Sequence, residues 1–316
     1  MFKWLADWLV EDIFGLSVAS KFGGAVHFFI YDTTKILALL AGMIFIISYI
    51  RSYFPPEKVK IWLHGRRKGV ASVLAAILGV VSPFCSCSTV PLFIGFVEAG
   101  IPLGITFTFL ISSPIVNEIS LVMLFSIFGW KIAVIYVMVG VILAIVAGVI
   151  IGRLKLERYI ESYVYEIKMG ETAITEEVTV KDRLQIAKDN VIDTVKKIWV
   201  YLLIGIGIGA FIHGYAPEEL LVKYAGEGNP FAVPVAVLLG VPLYSNAVGS
   251  LPIIEALMQK GVAAGTALAF MMAITALSFP EMVLLRKLMK PQLIGVFVGV
   301  VSIGIILIGY GFNLIL

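Results

Sequence analysis

Apolar residues fall along this chain in long blocks separated by short polar or charged stretches, and the blocks do not alternate as half-buried strands would. Residues 36–50 and 132–151 are apolar almost throughout. At roughly 1.5 Å per helical residue they approach or cross a hydrocarbon core of about 30 Å. The pattern predicts an all-α, polytopic membrane protein. Two further blocks, 69–81 and 90–99, are each too short to span, and they flank a polar tip, 82–89, that reads SPFCSCST. Polar, non-helical backbone at membrane depth is tolerated only where it is buried in protein or lines a cavity, so these blocks predict a re-entrant helical hairpin. Residues 101–128 then form one crossing, broken at Ser112-Ser113-Pro114, where proline removes a helical hydrogen bond and disfavours helix at the residue before it. Near the N-terminus, Trp4, Leu5, Trp8, Leu9 and Ile13 share one helical face, which predicts an interfacial helix. Asp7, Glu11 and Asp12 interrupt what would be the apolar core of a signal peptide.

The pattern repeats. Sliding the chain by 161 residues superposes 32–110 on 193–271 without a gap, pairing Asp32 with Asp193, Lys35 with Lys196, Gly79 with Gly240, Pro91 with Pro252, Gly100 with Gly261 and Gly104 with Gly265. An ungapped register whose matches fall on proline and glycine signals a duplicated unit. The second unit carries its own hairpin, 231–260 with tip 243–250, and a crossing broken at Ser278-Phe279-Pro280. The expected organisation is an N-terminal interfacial segment (1–31), a first transmembrane repeat (32–153), a cytoplasmic linker (154–192) and a second repeat (193–316). Within the charged stretch 153–197, Val180, Leu184, Ala187, Val191 and Val195 predict an amphipathic helix at its end.

Charge orients the two units. The loop 51–68 carries Arg51, Lys58, Lys60, Arg66, Arg67 and Lys68, whereas its counterpart at 216–230 has Lys223 against Glu218, Glu219 and Glu227. Arg286, Lys287 and Lys290 mark a later turn whose counterpart at 125–129 is uncharged. Basic loops stay cytoplasmic, so equivalent loops lie on opposite sides and the repeats are inverted, each with three spans and one hairpin. Composition agrees: 60% of residues are hydrophobic and 14% charged, with a mean hydropathy of +1.01. A net charge of +3 reflects basic loops and gives no case for nucleic acid.

Candidate chemistry gathers at the tips and breaks. Cys85 and Cys87 are the only cysteines, too few for a disulfide framework and too close for an unstrained bridge. Their soft sulfurs suit thiophilic centres such as Cu(I), Zn(II) or trivalent arsenic, so both are candidate cargo or metal ligands, flanked by Ser86 and Ser88. Inert packing is the alternative for buried cysteine. The second tip offers Tyr244, Ser245, Asn246 and Ser250, an oxygen-bearing face opposite the sulfur-bearing one. Ser112, Ser113 and Asn117 line the first break. Glu118 and Glu281 follow the two breaks, and intramembrane carboxylates commonly carry protons or cations. Glu118 is well flanked by apolar sequence. For Glu281, Arg286 lies little more than one turn away, and an interfacial ion pair is the alternative.

The stretches SPFCSCSTVP, GIPLG, SSPIVNE and LYSNAVGSLP resemble those of the ArsP-like predicted permeases, the family that includes organoarsenical efflux permeases. The resemblance runs from about Asp32 to the C-terminus. It implies an inner-membrane permease, some of whose relatives export trivalent methylated or aromatic arsenicals. The expected function is a secondary transporter of the cytoplasmic membrane, exporting a thiophilic small molecule or ion by alternating access, with exchange for protons as the expected coupling. Its partners are that cargo and the lipid bilayer. No Walker A motif is present, and neither enzymatic activity nor a cofactor is expected. The rival is a membrane thiol–disulfide relay, in which Cys85 and Cys87 pass electrons to a thioredoxin-like partner. A channel fits mirrored dead-end hairpins less well.

Overall fold

The structure is a computed structural model that describes residues 2–18, 20–51, 68–81, 92–97, 100–116, 118–161, 164, 179–215, 229–242, 254, 257–258 and 261–316. Among these residues the fold is helical, with no strand and one isolated antiparallel bridge, Ile160 to Met289. The helices are α1 (Phe2–Asp7), α2 (Lys21–Arg51), α3 (Lys68–Val81), α4 (Leu103–Ile115), α5 (Glu118–Arg153), α6 (Val180–Tyr215), α7 (Ala232–Gly240), α8 (Ala264–Ala276), α9 (Phe279–Leu285) and α10 (Pro291–Ile315). A π-helical stretch, Trp8–Ile13, continues α1, and 92–97 is a short helix. Among the described residues three stretches are long and apolar enough to cross a bilayer: Leu124–Arg153, Ala264–Leu285 taken across its break, and Pro291–Ile315. The chain is a helical membrane protein. Helix α3, of 14 residues, rises only about 21 Å and falls short of that length.

Helix boundaries recur at the spacing of the sequence repeat. Helices α4 and α8 are both 13 residues long, and each boundary of α8 lies 161 residues after its counterpart in α4. The turns that precede them match bond for bond. Gly100 donates its N–H to Val97 O (2.9 Å) and Ile101 to Phe96 O (2.9 Å), while Gly261 donates to Met258 O (3.0 Å) and Val262 to Leu257 O (3.0 Å). Both glycines are left-handed, at φ 73° and 86°, as a helix-ending turn of this kind requires. One small apolar cluster gathers Ala75, Ile101 and Phe109, with Phe96 against it; the other gathers Ala236, Leu257, Val262 and Phe270, the same four positions 161 residues on.

Small residues let the long helices close on α4 and α8. A carbon built at Gly104 would stand 2.7 Å from Gly148 O and 3.1 Å from Gly152 Cα. In the second half Gly265 closes in the same way on Gly309 and Asn313. Backbones that approach so nearly gain dispersion contacts, which drive helix association where lipid removes the hydrophobic incentive. At the position equivalent to Gly152, Asn313 adds polar bonds, accepting from Thr266 N (3.1 Å) and donating to Thr266 Oγ1 (3.1 Å). Equivalent helices also meet one another: α2 packs on α6, α4 on α8 and α5 on α10. Leu143 lies directly against Gly304, its own counterpart.

Four sequence expectations meet detail here. Pro114 does not end its helix: α4 continues to Ile115, and the backbone leaves helical geometry at Val116 (φ −116°, ψ 87°). The second break falls where expected, with Ser278 extended ahead of Phe279 and Pro280. The uncharged turn lies at Gly129 (φ 78°, ψ 171°), which divides α5 into two helical runs. At the N-terminus Trp4, Trp8 and Ile13 are exposed while Ala6 and Val10 are buried, and His27 holds Asp7 at 2.7 Å.

Candidate functional site

Cys85, Ser86, Cys87, Ser88, Asn117, Tyr244, Ser245 and Asn246 lie outside the described residues, and so does the expected sulfur-ligated metal. What is described is the scaffold around them. Helix α3 ends at Val81, next to the cysteine-bearing stretch, and two residues earlier Gly79 presses on α4, where an added carbon would overlap the Ser112 hydroxyl and come within 3.1 Å of Ser113 N. Ala71 and Ala75, earlier in α3, share a cluster with Ile101, Ile105 and Phe109, earlier along the path into α4. The two helices therefore run in the same direction. The ends of α3 and α4 lie side by side.

Ser112 and Ser113 are fully buried. Ser112 turns its hydroxyl back to Phe109 O at 3.2 Å, the local bond by which hydroxyls settle in apolar helices. Thr108 does the same to Gly104 O at 2.9 Å. In the second half Gly240 meets Ala273, 3.0 Å from an added carbon, at the positions equivalent to Gly79 and Ser112. Thr275 bonds Met271 O at 2.9 Å, and Ser278 is buried at the break.

Of the carboxylates, Glu118 opens α5, directly beyond the first break. Glu281 lies in the first turn of α9 and is only 2% exposed. Arg286, the partner considered for it, reaches Glu161 Oε1 at 3.1 Å and Met289 O at 3.4 Å through its Nη1. That contact belongs to a docked strip in which Glu161 N donates to Leu288 O (2.9 Å) and Lys290 N to Tyr159 O (2.7 Å). The start of the linker and the basic turn thus lie together.

Sequence reasoning passed over two groups. Asp32, used only as a repeat marker, is a second buried carboxylate among the described residues. Tyr136 is buried in α5 and donates its hydroxyl to Ile115 O at 3.1 Å, on the last residue of α4. A lone phenol inside the apolar run 132–151 was the available signal. Among the described residues no three His, Cys, Asp or Glu side chains come together as a metal site. The scaffold offers hydroxyls, a buried acid and interrupted helices, which suits binding and passage of a small solute.

Comparison with known proteins agrees in kind. A UPF0718 protein of Methanocaldococcus jannaschii is 23% identical over 348 aligned positions, covering 90% of this chain and 93% of that one. A Streptococcus mutans protein provisionally named as a subunit of a two-component membrane permease complex is 25% identical, over 85% of this chain and 88% of its own. The UPF0718 protein YraQ of Escherichia coli is 20% identical, over 78% and 68%. No solved structure matches the chain. Residues 21–314 match the ArsP_1 family, described as predicted permease, and the chain belongs to that family of membrane permeases.

Proposed function

We propose that this chain is a secondary transporter of the cytoplasmic membrane that exports a thiophilic small molecule or ion, such as a trivalent organoarsenical or a soft metal. The observation that carries the reading is the matched pair of interrupted helices, α4–α5 and α8–α9, each pressed by a glycine of a neighbouring arm beside its buried break. Interrupted helices at a repeat interface are where secondary transporters build their sites. In this reading 32–153 and 193–316 are inverted repeats joined by a cytoplasmic linker, 154–192, with 1–31 at the membrane interface. Two re-entrant hairpins bring Cys85, Cys87, Ser86 and Ser88 from one side and Tyr244, Ser245 and Asn246 from the other to a central cavity. Ser112, Ser113 and Asn117 complete the cargo contacts, and Glu118 and Glu281 carry the coupling proton.

Resistance of a host lacking its own exporters tests the proposal. Cells expressing the chain, challenged with a trivalent phenylarsenical, a methylated trivalent arsenical and copper, should survive at least one better than vector controls. Replacing Cys85 and Cys87 together by serine keeps size while exchanging soft for hard ligands, so that resistance should collapse at unchanged expression. Sensitivity equal to the vector across the panel overturns export of this cargo class, and full resistance in the double mutant returns the cysteines to packing.

A further inference from the structure

We propose that Tyr136 is the positioning residue of the first helix break: its hydroxyl fixes the end of α4, and with it the direction in which the chain leaves toward Glu118. Two contacts one turn apart on α5 carry this. Tyr136 donates to Ile115 O at 3.1 Å, across 21 residues of sequence. Gly140, on the same face, receives the break itself: a carbon built there would stand 2.6 Å from Val116 Cγ2 and 3.1 Å from Ile115 Cγ2. In an unbroken helix the Ile115 carbonyl would accept from the N–H four residues on, but the helix stops at Ile115. A carbonyl orphaned in an apolar interior is costly, and a phenol is a compact donor that reaches it from a neighbouring helix.

The second half shows that the arrangement is specific rather than a consequence of the fold. The positions equivalent to Tyr136 and Gly140 are Phe297 and Val301, both buried. Phe297 has no hydroxyl, and its ring packs on Phe107 with centroids 5.6 Å apart. Phenylalanine is therefore accommodated at this place in the architecture, whereas the bond to the break belongs to the first half. The first break is tied by this phenol, and the equivalent Phe297 offers no hydroxyl to the second. A site built on such breaks needs its supporting shell held within a fraction of an ångström, and Tyr136 supplies that on the side that also bears the cysteines.

The proposal rests on the transporter reading for its purpose, yet hydrogen exchange tests it without any cargo, so the two fail separately. Full-length protein in lipid nanodiscs is compared with Tyr136→Phe, following amide exchange in the peptide 112–120. Loss of one interhelical hydrogen bond should speed exchange there by about threefold to twentyfold, with exchange in α8 unchanged. Tyr310→Phe, which removes the distant bond from Tyr310 to Pro230 O, should leave 112–120 as in wild type. A rise below about twofold, or an equal rise in α8, overturns the proposal. Should Tyr136→Phe not yield folded protein, Gly140→Ala, which pushes Val116 off its seat, is held to the same criteria.

Discussion

Where Gly79 meets Ser112 there is no room for another carbon, and the neighbour is the hydroxyl of a fully buried serine with backbone just behind it. Gly79→Ala should therefore cost about 1–3 kcal/mol of stability through overpacking. Ser112→Ala removes the atom in conflict, so the double mutant should recover part of that loss; a double-mutant cycle by thermal unfolding in detergent reads the coupling. Gly69→Ala, at a position open to space, should be neutral or slightly stabilising. Additive effects at Gly79 and Ser112 would refute the contact. The buried acid permits a second test at this scale. Glu281→Gln keeps shape but abolishes titration, so turnover driven by an imposed pH gradient should fall to that of gradient-free vesicles, as it should for Glu118→Gln. Arg286→Gln removes the partner of Glu161 and the bond to Met289 O and should retain the response. A normal gradient response in Glu281→Gln would remove it from the coupling path.

Elements were legible where their ends depend on local chemistry. The repeat register paired Gly100 with Gly261, and both take the positive φ that marks a turn, a demand the sequence cannot hide; the equal lengths of α4 and α8 lie beyond that register, which stops at 110 and 271. Pro114 misled by two residues: its missing N–H costs the bond to Leu110, but Val116 N still bonds Ser112 O at 2.9 Å, and α4 is buried on all sides there. Tertiary packing overrode the local preference. Tyr136 and the docking of Ile160 on Met289 join residues distant in sequence, and no periodicity reports such pairs. A helix at the end of the charged stretch was legible; it runs unbroken from Val180 to Tyr215, leaves Val180 and Leu184 of the expected apolar face exposed, and begins with a reciprocal cap. Thr179 N and Oγ1 donate to Asp182 Oδ2 at 3.1 and 2.6 Å, and Asp182 N donates to Thr179 Oγ1 at 3.4 Å. These bonds hold the exposed Asp182 carboxyl below its ordinary value. The cap's contribution is therefore complete above the unfolded aspartate value, about 3.9, and is lost as pH falls through the lowered folded one. Protection of the amides at 180–183, measured against intrinsic exchange at each pH, should fall on acidification through that range, and Asp182→Asn should weaken it at neutral pH. Exchange indifferent to both would mean that packing alone starts α6.

Across the whole molecule, two halves with matching turns, matching clusters and mutual contacts between equivalent helices describe a pseudo-symmetric body, and loop charge decides how that symmetry sits in the bilayer. If the repeats are inverted, equivalent positions face opposite compartments. The exposed residues Lys131, just after the Gly129 turn, and Gln292, just after the basic turn at 286–290, are such a pair, 161 residues apart. The Gln292 turn also carries Arg286, Lys287 and Lys290 and holds the start of the linker through Glu161, so turn and linker must share one side. The positive-inside rule predicts that this side is cytoplasmic. In a background with Cys85 and Cys87 replaced by serine, Lys131→Cys should react with an impermeant maleimide in intact cells, whereas Gln292→Cys should react only after permeabilisation. Glu161→Cys should follow Gln292→Cys. Labelling of positions 131 and 292 from the same side would exclude inverted repeats and leave a parallel duplication, whose halves would have to meet about an axis along the membrane normal. Labelling of 161 and 292 from opposite sides would contradict the docked strip itself. The expected pattern, one position out and its counterpart in, fits alternating access about a central site, in which inverted halves exchange roles when the cavity changes the side to which it opens.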